Sequence, residues 1–270
     1  MIKNSNLQRW VTGIILAAVL LAIIILGPLE LLAAVIILFI VGGVWEYNGI
    51  VFGKGFVKEK VESIIFAILI PVVLYTGDYR LLAALFTFMV MLVFMVFVWG
   101  ASEENFDVNS VAKVIFGMVY IPLLTSHYIL LRKLESGIYW IILVLIIAII
   151  GDTVALYVGK TLGKRKLIPL VSPGKTVEGT IGLIVGATIA GTVFGYFFIP
   201  GISWIHFLIL GFVGSIIGQL GDLCESAIKR NYGRKDASTL LPGHGGLMDR
   251  MDSLIFVAPF VYYYRIFVIG

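Results

Sequence analysis

Residues 138–159 read IYWIILVLIIAIIGDTVALYVG. The run is as long as the roughly 20 residues that an α-helix needs to cross the hydrocarbon of a bilayer. A chain inside lipid must satisfy its own backbone hydrogen bonds, so such a run is read as a helix. It holds one ionisable side chain, Asp152. A carboxylate at that depth is costly unless a cation, a base or water shares its pocket. This one stretch therefore sets the class of the protein and gives the first hint of a site.

Working outward, similar runs lie at 10–27, 30–47, 62–77, 81–99, 110–131, 177–199, 203–226 and 251–268. The expected fold is all-α, a polytopic integral membrane protein of about nine transmembrane helices. Composition agrees. The chain of 270 residues is 60% hydrophobic and 13% charged, with a mean hydropathy of +1.05. A soluble domain carries nearly twice that charged fraction. One cysteine excludes a disulfide framework and a multi-cysteine zinc site. No small-residue cleavage site follows the first run, so it is expected to be a retained helix rather than a signal peptide. No period of 20–50 residues recurs.

The basic residues set the expected orientation. With the N-terminus in the cytoplasm and the C-terminus outside, every Lys and Arg except Arg80, Arg132, Lys133 and Arg265 falls on the inner side. The segment FGKGFVKEKVE at 52–62 is expected to be either a short interfacial helix or an ordinary juxtamembrane anchor. His127 is expected to be a hydrogen bonder at the outer interface. Polar chemistry grows toward the C-terminal half. Residues 1–130 are therefore expected to be scaffold, and residues 131–270 to carry a cytoplasm-facing site.

Six carboxylates need a reason. Asp152, Asp222 and Glu225 lie near the inner ends of two spans, Glu178 opens another, and Asp249 and Asp252 open the last. Asp222, Glu225, Ser226 and Lys229 fall at i, i+3, i+4 and i+7, on one helix face. Asp249, Asp252 and Ser253 repeat the first part of that spacing. Oxygen ligands from two helices suit a hard ion such as Mg²⁺, which is held by one or two carboxylates plus substrate phosphates. Lys229, Arg230, Lys235 and Arg250 would meet phosphate charge, Arg as a fork and Lys as a point charge.

Two loops complete the set. LPGHGG at 241–246 joins a turn to the last span, and Gly243, Gly245 and Gly246 allow positive φ and close backbone approach. His244 is a candidate phosphate donor, structural group or metal ligand. SPGKTVEG at 172–179 shares Gly-Lys-Thr with a P-loop. That motif needs its first Gly where this chain has Pro169, and a strand before it. Gly174, Lys175 and Thr176 ahead of a helix are still a plausible phosphate cradle.

Read whole, SAIKRNYGRKDASTLLPGHGGLMDRMD at 226–252 resembles the signature of the phosphatidate cytidylyltransferase (CDP-diacylglycerol synthase) family. The matching positions are Ser226, Lys229, Arg230, Lys235, Asp236, Pro242, His244, Gly245, Gly246, Asp249, Arg250 and Asp252. The likeness extends to Gly151-Asp152, to SPGKT at 172–176 and to GDLCES at 221–226. It implies transfer of CMP from CTP to phosphatidic acid, giving CDP-diacylglycerol and pyrophosphate. It implies Mg²⁺, an assisting monovalent cation such as K⁺, and a homodimer in the inner membrane with its cavity facing the cytoplasm. No nucleic-acid partner is expected.

The expected roles are these. Asp222 and Asp249 hold the metal, with Asp252 and Glu225 as outer ligands. Lys229, Arg230, Lys235 and Arg250 contact phosphates. Ser172, Lys175 and Thr176 bind the triphosphate, with Glu178 and Asp152 orienting that loop, and Ser226, His244, Gly245 and Gly246 line the substrate. Two rivals are a CTP-dependent kinase of a lipid alcohol and an ion or lipid transporter. The first would release CDP rather than pyrophosphate. The second tends to place its acids at the midplane and to show internal repeats.

Overall fold

A computed structural model describes residues 3–53, 55–101, 107–240 and 245–270; in the first helix, side chains are described from residue 17 onward and at 13 and 15. Pro242, Gly243 and His244, named above, and Lys54 of the 52–62 segment lie outside the described residues. The described helices are α1 Lys3–Leu26, α2 Leu29–Val51, α3 Val57–Thr76, α4 Tyr79–Trp99, α5 Asn109–Met118, α6 His127–Lys133, α7 Gly137–Thr161, α8 Val177–Phe198, α9 Trp204–Asn231 and α10 Leu254–Tyr264. A π-helical turn at Val119–Leu123 links α5 toward α6. It contains Pro122, which has no N–H to donate to a regular ladder. Six of the described stretches are long and apolar enough to cross a membrane: Leu29–Val51, Tyr79–Trp99, Asn109–Lys133, Gly137–Thr161, Val177–Phe198 and Trp204–Asn231. The protein is thus an all-α integral membrane protein.

The chain forms two compact units. One comprises Met1–Leu130 with Asp236–Asp249; the other comprises Leu131–Lys235 with Arg250–Gly270. In the first, Ile40 and Val44 of α2, Ala67 and Ile70 of α3, and Val114 and Met118 of α5 are fully enclosed. Tyr47 joins α2 to α5 by donating its hydroxyl to the Lys113 carbonyl at 2.9 Å. Helix α4 leaves Phe88, Met91, Phe94 and Val98 exposed, as a helix facing hydrocarbon does.

In the second unit α7, α8, α9 and α10 pack around Trp140, Leu143, Val144, Ile147, Phe207, Leu210 and Val257. Small residues bring the backbones together, which is how helices associate when lipid removes the hydrophobic drive. A Cβ on Gly186 of α8 would lie 2.7 Å from the Val154 side chain of α7. One on Gly211 of α9 would lie 2.7 Å from the Thr188 backbone of α8. These approaches hold α7 and α9, which carry Asp152 and Asp222, against α8.

Three local expectations change. SPGKT, expected as a loop, is a strand: β2 (Ser172–Thr176) pairs antiparallel with β1 (Lys166–Ile168), Lys166 opposite Thr176 and Ile168 opposite Ser172. The 52–62 segment is not a separate interfacial helix. Phe56 takes a left-handed φ of 51° and α3 then runs unbroken from Val57. His127 is 2% exposed, its Nδ1 2.9 Å from the Leu123 carbonyl, so it is enclosed in the first unit rather than seated at an interface.

Candidate active site

The C-terminal ends of α7 and α9 and the hairpin enclose a cavity of about 510 Å³ in the second unit. That is within the range of small-molecule sites. Asp152, Lys160, Ser172, Gly174, Lys175, Thr176, Gln219 and Asp222 line it. Local sequence explains each position. Thr176 caps α8, accepting from the Gly179 N–H at 3.1 Å, so the strand must end there and Lys175 precedes the cap. Lys175 lines the cavity between Gly174 and Thr176, and its Nζ lies 2.5 Å from Asp222 Oδ2. Nothing lies within 4 Å of a Cβ placed on Gly174, so the hairpin wall is open beside that lysine.

Glu178, one residue into α8, reaches back across the hairpin. Its carboxylate accepts from the Lys164 N–H at 3.0 Å and from the Arg165 N–H at 3.2 Å. Arg230, near the end of α9, holds the other side, donating from Nε to the Val171 carbonyl at 3.4 Å and from Nη1 to Arg234 at 3.3 Å. Both residues thus act on the frame of the hairpin.

The electrostatics of the cavity are unbalanced. Asp152, Asp222 and Asp252 stand close enough to repel one another, and Lys175 is the cation that acts on all three. Asp252 is brought there because its backbone carbonyl packs against Gly221, where a Cβ would approach to 2.5 Å. Three carboxylates beside Lys175, with Lys160 also lining the cavity, leave room for further positive charge. Among the described residues no three His, Cys, Asp or Glu groups enclose a metal by themselves. The donor set is nevertheless hard oxygen, and Mg²⁺ characteristically takes one or two carboxylates and completes its shell with water and phosphate oxygens. The residues fit that ion in that manner.

Helix α9 keeps the predicted face. Ser226 Oγ donates to Asp222 Oδ1 at 3.4 Å. One turn on, Glu225 is fully enclosed with its carboxylate 2.5 Å from the Lys229 ammonium, so these two neutralise each other. Lys235 and Arg250 are exposed.

The signature loop belongs to the first unit. Asp249 accepts from the Ala237 N–H at 3.0 Å and from the Gly246 N–H at 2.8 Å. Gly245 adopts φ +80°, a conformation that only glycine takes at little cost. A Cβ on Gly246 would lie 2.8 Å from the carboxylate of Glu46. Glu46 itself, 2% exposed, accepts from the Ser238 hydroxyl at 2.5 Å and from the Leu247 and Met248 N–H groups at 2.8 and 2.7 Å.

Two functional candidates escaped sequence reasoning. Gln219 lies one turn before Asp222 and lines the cavity with its Nε2 unpartnered; a lone amide at i−3 from a site acid was the available signal. Glu46 sits in the half expected to be scaffold; an acid inside the apolar run 30–47, beyond Glu30 at its start, was its signal.

Comparison with known proteins follows this geometry. Residues 7–268 match the model of the cytidylyltransferase family. A phosphatidate cytidylyltransferase of Bacillus subtilis (strain 168) is 34% identical over 266 residues, covering 95% of this chain and 96% of that protein. A phosphatidate cytidylyltransferase of Staphylococcus haemolyticus (strain JCSC1435) is 35% identical over 158 residues, 58% of this chain and 60% of that protein.

Proposed function

Because the chain belongs to the cytidylyltransferase family, we infer that it transfers CMP from CTP to phosphatidic acid, releasing pyrophosphate and leaving CDP-diacylglycerol in the membrane. The observation that carries this reading is the Lys175–Asp222 pair in a cavity that Asp152 also lines, with Asp252 close enough to repel both acids. A lipid phosphate oxygen attacks the α-phosphorus of CTP. The new P–O bond forms as the bond to the β-phosphate oxygen breaks, and that oxygen leaves with the electron pair. The nucleophile is already an anion, so no strong general base is required. The obstacle is repulsion between two polyanions, and catalysis is mainly positioning and charge neutralisation.

Each residue has a role in that scheme. Lys175 sits in the cavity as a point charge for the triphosphate, released from Asp222 when phosphate arrives. Ser172 and the open wall at Gly174 admit the phosphates, and Thr176 holds the strand-to-helix junction. Glu178 and Arg230 keep the hairpin in place. Asp222, with Asp152 and Asp252, would hold Mg²⁺; when bound, the ion would supply charge neutralisation on the triphosphate and on the departing pyrophosphate. The metal role expected of Asp249 rests on the signature and is tested separately by Asp249→Asn. An assisting K⁺, a homodimer, nine crossings with the N-terminus cytoplasmic, and an inner-membrane location with the site facing the cytoplasm complete the proposal. The placement of basic residues supports the orientation.

The test is incubation of the detergent-purified protein with CTP labelled at the α- or γ-phosphate, phosphatidic acid and Mg²⁺. The expected result is α-label in the lipid and γ-label in pyrophosphate. Label from the γ-position in the lipid, with CDP released, would instead identify a lipid-alcohol kinase. Ion movement without nucleotide consumption would identify a transporter.

A further inference from the structure

Glu46 lies on α2, about 200 residues before the segment it holds, and nothing in the transfer chemistry uses it. A buried carboxylate left without partners is costly. Here its oxygens instead accept from the Ser238 hydroxyl and from the Leu247 and Met248 N–H groups at 2.5, 2.8 and 2.7 Å. Charge-assisted bonds of that length are the strong kind. They grip the signature loop at both its ends. Ser238 lies just after Ala237, and Leu247 and Met248 just before Asp249. Asp249 closes the same loop from within, through the Ala237 and Gly246 N–H groups. Gly246 is wedged between the two carboxylate systems, with room for no side chain.

We propose that Glu46 is a positioning residue for the transfer reaction: its carboxylate fixes Ser238 and the backbone at Leu247 and Met248 and thereby sets where Asp249 and the Gly245-Gly246 turn stand. The proposal rests on the reading that the signature loop serves CMP transfer. The side-chain chemistry is specific. An amide at this position keeps one acceptor but turns an NH₂ toward backbone donors. Aspartate is one methylene shorter and does not span the same gap.

The experiment compares wild type, Glu46→Gln, Glu46→Asp, Glu46→Ala and Ser238→Ala, each purified in detergent and checked for folding by thermal unfolding. Two readouts are taken: amide hydrogen exchange over residues 237–250, and kcat and KM for CTP and phosphatidic acid. The expected result is that exchange at Leu247 and Met248 accelerates at least about tenfold in the Glu46 variants while α9 stays protected. In the same variants kcat falls about 10- to 100-fold with KM for CTP little changed. Ser238→Ala, which removes one bond of three, should show the same pattern at about threefold. Unchanged exchange at 247–248, or faster exchange with wild-type kcat, would overturn the proposal. If Glu46 variants do not fold, Ser238→Ala decides: wild-type exchange and kcat there sink the idea. An inactive wild type would fault the assigned reaction, and the exchange readout would still judge the role of Glu46.

Discussion

The two units treat their acids in opposite ways. In the first, Glu46 and Asp249 are absorbed by backbone N–H groups and a hydroxyl. In the second, Asp152 and Asp222 line a cavity, Asp252 stands near them, and Lys175 acts on all three. Acids held by backbone N–H groups shape a loop. Acids crowded around Lys175, where Lys160 also lines the cavity, outnumber the lysines and leave a charge balance that an incoming ion and a polyphosphate can complete. The same residue type therefore fixes a loop in one unit and lines a cavity in the other.

This contrast breaks most sharply at Asp222. Asp222→Asn should lower turnover at least about 10³-fold, with thermal unfolding unchanged, measured as labelled CDP-diacylglycerol formed. A variant that keeps near-normal activity at saturating Mg²⁺ would remove Asp222 from the ion-holding set. Lys175→Met comes next. It deletes the cation acting on three carboxylates, and kcat/KM for CTP should drop about 10²-fold, since a charged contact is lost in the transition state as well as the ground state. Recovery of most of that loss by Lys175→Arg would show that charge matters more than shape.

Packing should give a smaller effect. Gly186→Leu places a side chain where even a Cβ meets Val154 at 2.7 Å, so the variant should lose about 1–3 kcal/mol of stability. A lowered midpoint of thermal unfolding would report it, with activity falling in step as Asp152 moves. The mildest change is Glu178→Gln. It weakens the two N–H contacts that tether the hairpin, and KM for CTP should rise about threefold to tenfold at nearly constant kcat. A fall in kcat alone would place Glu178 in the chemistry rather than in the frame.

Much of this was legible in the chain itself. The helices stand where the apolar runs predicted, because membrane burial leaves the backbone little alternative. The i, i+3, i+4, i+7 spacing along α9 predicted a shared face, and the Ser226–Asp222 contact lies on it. What spacing could not predict was partner choice: Glu225 and Lys229 neutralise each other. The hairpin was hidden because SPGKT lacks the β-branched alternation of a strand, and its pairing comes from the tertiary frame of Glu178 and Arg230. Glu46 was hidden for another reason. Its partners lie 192 to 202 residues away, and local periodicity carries no information over that distance. The grouping of residues 236–249 with the first unit is of the same kind.

That separation also orders events in time. A ribosome delivers the N-terminal helices first, yet the acceptor on α2 finds its donors only after residue 248 has been made. Long-range closure of this sort is slow and comes late. The earliest-made part of the protein is therefore the last to mature, and a chain truncated anywhere before residue 247 would leave a carboxylate buried among apolar helices with its backbone donors unsynthesised.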